Sequence, residues 1–285
     1  MDPAIGIIGG SGLYDVPGLE GAWRTIDTPW GAPSDALLDG RIGETRVVFL
    51  PRHGRGHRLD PSSVPFRANV AAMKAAGVTH LVSVSACGSY REAMAPGHFV
   101  VVDQFVDRTR GRPASFFGAG CVAHVSLAHP TCAALGTAVA AAARAAGATV
   151  HEGGTYLAME GPQFSTAAES RLFRSWGCDV VGMTNLPEAR LAREAELHYA
   201  TVAMITDYDS WHPGHEAVDI AAVVATLGAN VDAARTMVAA LPGHVGASPC
   251  RTGCARALDH AVMTAPERRD PDLLARLRTV AGRVL

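Results

Sequence analysis

Short apolar runs, each closed by a cluster of glycine and polar residues, recur along the chain. Ala4 to Ile8 is such a run and stops at Gly9-Gly10-Ser11-Gly12, which predicts a buried strand ending in a tight turn. Ala36 to Leu38 and Thr45 to Leu50 predict a hairpin turning at Asp39-Gly40. His80 to Val84 predicts a buried strand followed by a loop of small residues, Ser85-Ala86-Cys87-Gly88-Ser89. Further strands are expected at His98 to Val102, at Thr149 to Met159 with a bend at Gly153-Gly154, at Asp179 to Gly182 and at His198 to Ile205. Between them lie segments of helical character: Pro65 to Ala76, the alanine-rich Pro130 to Ala146, Thr166 to Trp176, Pro187 to Ala195 and Ile220 to Leu241. Residues 255–284 predict one or two more helices.

This alternation predicts an α/β fold, a single domain with a mostly parallel or mixed central β-sheet flanked by helices on both faces. Residues 1–241 would form its body and 242–285 a helical C-terminal extension of the same domain. At 285 residues and 48% hydrophobic content the chain can build a large core. Its net charge of −2, with no basic block, argues against nucleic acid as a partner. No apolar stretch reaches the roughly 18 residues of a membrane span. The opening Met1-Asp2-Pro3-Ala4 has no signal-peptide pattern. A soluble cytoplasmic protein with no membrane partner is therefore expected. Six cysteines are too sparse for a disulfide scaffold. Cys250 and Cys254 could pair or bind metal, but no second cysteine pair completes a zinc site, and they are expected to be two structural thiols.

Candidate chemistry falls at the predicted strand ends, where open α/β sheets bind ligands. The run Ala200 to Ile205 ends in Thr206-Asp207-Tyr208-Asp209. Two acids two residues apart point the same way if strand geometry persists. Such a pair can accept from an exocyclic amine and, with one member protonated, donate to a ring nitrogen, as an amino-substituted purine requires. Ser11 in its glycine turn suits an anion, although the turn is neither a dinucleotide fingerprint nor a P-loop. In Arg52-His53-Gly54-Arg55-Gly56-His57, the arginine fork of Arg52 matches phosphate oxygens and His53 adds a donor. Ser85 and its neighbouring N–H groups could complete a phosphate nest. Glu160 suits hydroxyls, Phe164 offers a flat face, Met183 can pack on a sugar and Thr184 can donate to phosphate. Each cluster alone is equally explained as a turn, a surface loop or core.

Their joint order is more specific. Ile5-Gly6-Ile7-Ile8-Gly9-Gly10-Ser11-Gly12-Leu13, Pro51-Arg52-His53-Gly54, Asp103 to Thr109, Glu160-Gly161-Pro162-Gln163-Phe164, Gly182-Met183-Thr184-Asn185-Leu186-Pro187-Glu188-Ala189 and Thr206 to Trp211 together resemble the purine nucleoside phosphorylase superfamily. Within it they resemble the branch acting on 5′-methylthioadenosine, from about residue 4 to about residue 240. The resemblance implies the nucleoside phosphorylase fold and phosphorolysis of a nucleoside. No metal or organic cofactor is implied; inorganic phosphate is the co-substrate. Carried over by position, Ser11, Arg52, His53, Ser85, Ala86 and Thr184 would hold phosphate. Glu160 and the backbone near Met183 would meet the ribose. Phe164 would lie against the base, Asp207 would serve N7 as the general acid and Asp209 would hold the 6-amino group. Aspartate at both base positions suits adenine rather than a 6-oxopurine.

His124 of a neighbouring subunit, Ile220 and Val224 would line an apolar 5′ pocket, in a homotrimer. The pattern departs from the family where Ser11 and Ser85 replace a common threonine, and where Val64-Pro65-Phe66-Arg67 replaces a Val-Asn-Tyr segment. Competing expectations are a phosphorylase for adenosine or another 5′-deoxyadenosine, a nucleoside-binding protein without catalysis, and a metal-dependent hydrolase built on His53, His57, Asp207, Asp209, His212 and His215.

Overall fold

A computed structural model describes residues 3–10, 12–212, 220–246 and 249–285. Its strands are β1 (Ile5–Gly9), β2 (Glu20–Arg24), β3 (Leu37–Ile42), β4 (Thr45–Pro51), β5 (His80–Ser89), β6 (Phe99–Val102), β7 (Gln104–Asp107), β8 (Val150–Glu152), β9 (Thr155–Ala158), β10 (Val180–Gly182) and β11 (His198–Asp207). Its helices are α1 (Phe66–Ala75), α2 (Ala133–Ala145), α3 (Ala167–Ser175), α4 (Asn185–Glu194), α5 (Ile220–Ala240) and α6 (Pro271–Ala281).

The strands form one mixed sheet. β1 pairs in parallel with β4 on one side and β5 on the other, and β5 pairs in parallel with β11. The antiparallel β2-β3-β4 ribbon extends one edge. At its far end β5 leaves β1, and Gly88 and Ser89 pair antiparallel with β10, which leads to β9 and β7. Period-2 alternation divides β11 between two apolar layers. Tyr199, Ala203 and Ile205 pack with α1, α4 and α6, while Ala200, Val202 and Met204 pack with α2 and α5. The small buried residues Ala138, Ala142 and Ala143 let α2 lie close to the sheet. α3 starts at a reciprocal Thr166–Glu169 capping box, and α6 starts at Asp270, whose carboxylate accepts from the Leu273 N–H ahead of Pro271.

The α/β expectation is borne out, with local corrections. The β3–β4 hairpin turns at Gly43-Glu44, and Asp39-Gly40 lies inside β3. A Cβ on Gly40 would sit 2.3 Å from the Glu20 carbonyl oxygen, so this glycine serves close approach to β2 rather than a turn. β2 is exposed throughout and carries no apolar alternation to announce it. The small-residue segment after Val84 continues β5 instead of forming a loop, because β11 and β10 supply its ladder partners. From residue 241 on, the described residues form three-residue helical turns and one helix, α6.

Candidate active site

The C-terminal ends of β1, β4, β5, β10 and β11 open onto a cavity of about 330 Å³. The parallel ladder brings the ends of β1, β4, β5 and β11 together at this edge, and β10, antiparallel to the end of β5, runs back toward it. Arg52, His53, Ser85, Ala86, Met183, Thr184, Phe164, Asp207 and Asp209 all border it. Ser11 lies outside the described residues, so its expected place in the glycine turn has no structural account.

At one end sits Arg52, 1% exposed. Its guanidinium donates to Ser83 Oγ at 2.6 Å, to the Ile8 and Val84 carbonyls at 3.0 and 3.1 Å, and to Glu188 Oε2 at 3.3 Å. A guanidinium has five N–H donors. Four are used by the protein, so the open fork expected of Arg52 is turned into the fold and one Nη1 hydrogen remains for a ligand. Glu188 also accepts from Tyr199 Oη at 2.9 Å, and Asn185 donates to Ser83 Oγ at 2.8 Å. Ser85 Oγ lies 3.4 Å from Asn185 Oδ1. This buried network fixes Arg52 from behind and was not visible in the sequence. Its members lie in β5, α4 and β11, and only the fold brings them together.

His53 also differs from expectation. Its Nδ1 lies 2.8 Å from the Leu59 carbonyl, which can only accept, so Nδ1 carries the proton. Burial, with the charge of Arg52 adding, pushes His53 down to about 4. The ring is therefore neutral, with its donor spent on Leu59 and Nε2 left as an acceptor. Ala86 is the one exposed residue in an otherwise buried part of β5, and its methyl leaves room at the cavity wall.

At the other end are the aspartates. Strand geometry does not persist between them: β11 ends at Asp207 after an irregularity in register, and Asp209 has φ +51° and opens a helical turn. They meet because that turn folds back. The Asp209 N–H donates to Asp207 Oδ1 at 2.7 Å, and Thr206 Oγ1 donates to Asp207 Oδ2 at 2.7 Å. Asp209 is 3% exposed, and its Oδ2 is buried with no hydrogen-bond partner. Burial pushes its carboxyl above the usual range, and the charge of Asp207 adds to the effect. A polar atom left orphaned in this way is costly unless a ligand completes it. Gly88 lies against both acids: a Cβ there would be 3.0 Å from Asp207 Oδ1 and 3.3 Å from Asp209 Cβ.

Between the two ends the wall is mostly apolar, with Met159, Val181, Met183, Val223 and Leu227. Phe164 stands at the rim, 49% exposed. Glu160 does not border the cavity. Its carboxylate accepts from Ser62 Oγ, the Arg110 N–H and Arg112 Nε. Burial would raise the Glu160 pKa, but these donors outweigh it and hold the carboxyl below the usual range. Arg112, missed in the sequence, donates to the Met183 and Glu160 carbonyls at 2.6 Å each and to the Leu186 carbonyl at 3.2 Å. Its guanidinium lies 5.6 Å from the centre of the Phe66 ring, within the departing Val64-Pro65-Phe66-Arg67 segment.

Val224 is 61% exposed and off the cavity. The helical period instead turns Val223 and Leu227, four residues apart, toward it. The side chain of Ile220 lies outside the described residues. His124 is exposed and away from its own chain's cavity, on a segment paired with residues 261 and 262. His53, His57, Asp207, Asp209 and His212 form no metal-binding cluster among the described residues, and His215 lies outside them.

Residues 4–241 match the Phosphorylase superfamily. The S-methyl-5′-thioadenosine phosphorylase of Cereibacter sphaeroides is 65% identical over 288 residues, covering 100% of this chain and 99% of its own. That of Bradyrhizobium diazoefficiens is 57% identical over 284 residues, covering 99% and 98%. A crystal structure of methylthioadenosine phosphorylase from an antarctic soil metagenomic library superposes with a TM-score of 0.92, at 42% identity over 98% of this chain and 99% of that one.

Proposed function

The chain belongs to the phosphorylase superfamily, and from that premise we propose that it cleaves 5′-methylthioadenosine with inorganic phosphate, giving adenine and 5-methylthioribose 1-phosphate. One observation carries the reading: a buried carboxyl with an unpartnered oxygen, beside a second carboxylate, faces an anion pocket across an apolar cavity. The names of the similar proteins point the same way.

In the proposed reaction the glycosidic bond stretches toward an oxocarbenium-like sugar and the base gains negative charge. Asp209, whose carboxyl is raised by burial, lies beside Asp207 at the base end of the cavity. Asp207 is placed at N7, where proton donation to the leaving base relieves the charge, and Asp209 takes the 6-amino group. Arg52 through its remaining N–H, His53, Ser85, Thr184 and the backbone at Ala86 orient the phosphate for attack. Ser11 belongs with this set by its motif. Met183 and Phe164 pack on the sugar and base, and Glu160 exchanges Ser62 for a ribose hydroxyl. Val223 and Leu227 supply an uncharged wall suited to a methylthio group. The same wall suits other small 5′-deoxyadenosines, which form the second reading. No metal or organic cofactor enters this chemistry.

The assembly is proposed to be a homotrimer, in which His124 reaches a neighbouring copy's cavity. Free thiols at all six cysteines fit a reducing, cytoplasmic setting. Among the described residues no helix is long and apolar enough to cross a membrane.

The test is adenine release from 5′-methylthioadenosine by purified protein with and without phosphate. Phosphate-dependent release that falls about 10²–10⁴-fold in Asp207→Asn supports the reading. Release that ignores phosphate overturns it in favour of hydrolysis. Binding without turnover means a nucleoside-binding protein.

A further inference from the structure

At the end of the sheet opposite the cavity, three thiols and an imidazole converge. His198 opens β11, whose other end is Asp207, and Cys132 immediately precedes α2. Cys250 and Cys254 follow α5 on the segment that crosses this edge. No two of the four donor atoms are more than 4.8 Å apart, and Cys132 Sγ lies 3.4 Å from His198 Nδ1. Tetrahedral zinc, with Zn–S about 2.3 Å and Zn–N about 2.0 Å, separates its sulfurs by about 3.8 Å and a sulfur–nitrogen pair by about 3.5 Å. The cluster is thus within about an ångström of a closed tetrahedral shell. From this geometry we propose that Cys132, His198, Cys250 and Cys254 form a structural zinc site that ties the segment after α5 to the start of β11.

The surroundings suit that role. Cys250 and Cys254 have the short spacing of zinc-binding cysteine pairs. The sequence suggested two plain structural thiols because the other two ligands lie far away in the chain and are not a second cysteine pair. Three thiolates on Zn²⁺ leave one net negative charge. Arg193 is 5% exposed and donates from Nη1 to Cys254 Sγ at 3.5 Å, which offsets it. Thr252 Oγ1 lies 3.1 Å from Cys254 Sγ and 3.4 Å from Cys250 Sγ. The His80 ring stacks on His198 at 4.4 Å and fixes its orientation. Cys132 and Cys254 are buried, and all six cysteines are free thiols, so no disulfide competes for the sulfurs. Four protein ligands leave no open position, so the site is structural rather than catalytic. The proposal does not depend on the reaction assigned to the cavity.

The test is elemental analysis of the full-length, untagged protein, purified under reducing conditions and then reconstituted with zinc or cobalt. The expected result is one zinc per chain that survives dialysis. The cobalt form should show thiolate-to-metal bands in the near ultraviolet and the visible bands of tetrahedral Co²⁺. Chelation should lower Tm and zinc should restore it. Cys254→Ser and Cys132→Ser should lose the metal, and Arg193→Gln should weaken its binding by about 10–100-fold. Cys178→Ser, at a buried cysteine in a separate cluster, should keep it. Failure of the wild-type protein to take up zinc or cobalt overturns the proposal whatever the variants do. So does a mass lower by two hydrogens showing a disulfide among these cysteines, or metal retained by the Cys132→Ser, Cys254→Ser double variant.

Discussion

Glu188→Gln separates the electrostatic role of the network behind Arg52 from its geometric role. Both side chains of the Arg52–Glu188 pair are 1% exposed and their charges are 3.3 Å apart. Neutralising one member of a buried pair leaves the other uncompensated, at about 3–5 kcal/mol. Glutamine's single oxygen can still accept from Arg52 while its NH2 donates to Tyr199 Oη, so the low end, about 3 kcal/mol, applies. At about 2–4 °C per kcal/mol for a chain of this size, Tm should fall by about 6–12 °C in phosphate-free buffer. Bound phosphate then becomes the missing counter-charge. The variant should therefore bind phosphate more tightly than wild type and recover part of its Tm as phosphate is added. The assay is a thermal melt across a phosphate series, with isothermal titration of phosphate into each protein. Weaker phosphate binding in Glu188→Gln would refute the charge argument and leave Glu188 as a geometric prop for Arg52. An unchanged Tm would refute the burial argument.

Other outcomes follow from the same geometry. Gly88→Ala places a methyl 3.0 Å from Asp207 Oδ1 and should cut turnover at least about tenfold while costing only about 1–3 kcal/mol of stability, read by kinetics and urea melts. Val223→Asp should raise KM for 5′-methylthioadenosine far more than Val224→Asp does in dilute, monomeric protein; equal effects would place the wrong face of α5 at the cavity. His53 is pushed down to about 4, so between 6.5 and about 4 the unfolded chain takes up a proton that the folded chain refuses. His53 therefore makes stability fall as pH falls through that window, and urea titrations of His53→Phe should lack this component. The raised Asp209 carboxyl acts with the opposite sign, because the folded chain keeps a proton that the unfolded chain loses above 3.8. Stability falls there as pH rises, and Asp209→Asn should remove that component in the same titrations.

Strand ends were the most legible feature of the sequence. Apolar runs with abrupt polar stops located Arg52, His53, Ser85, Thr184 and Asp207 at one edge, because burial and termination are local properties. What stayed hidden depended on contacts distant in sequence. Arg112 belongs to a segment with no motif, and it matters only because three carbonyls meet its guanidinium. Glu188 sits in a legible motif, yet its bond to Arg52 spans 136 residues. The edge strand β2 has no buried side chain and so no pattern. Helix α5 is apolar on nearly every face, so its period could not say whether Val223 or Val224 faced the cavity.

The His53 tautomer bears on ion discrimination. With Nδ1–H held by Leu59, Nε2 has a lone pair to offer and no hydrogen. Hydrogenphosphate brings a hydroxyl that can donate to it; sulfate, fully deprotonated at neutral pH, meets it lone pair to lone pair. An imidazole tied back in this way should let the proposed phosphate pocket distinguish two tetrahedral dianions of nearly the same size and charge by a single proton.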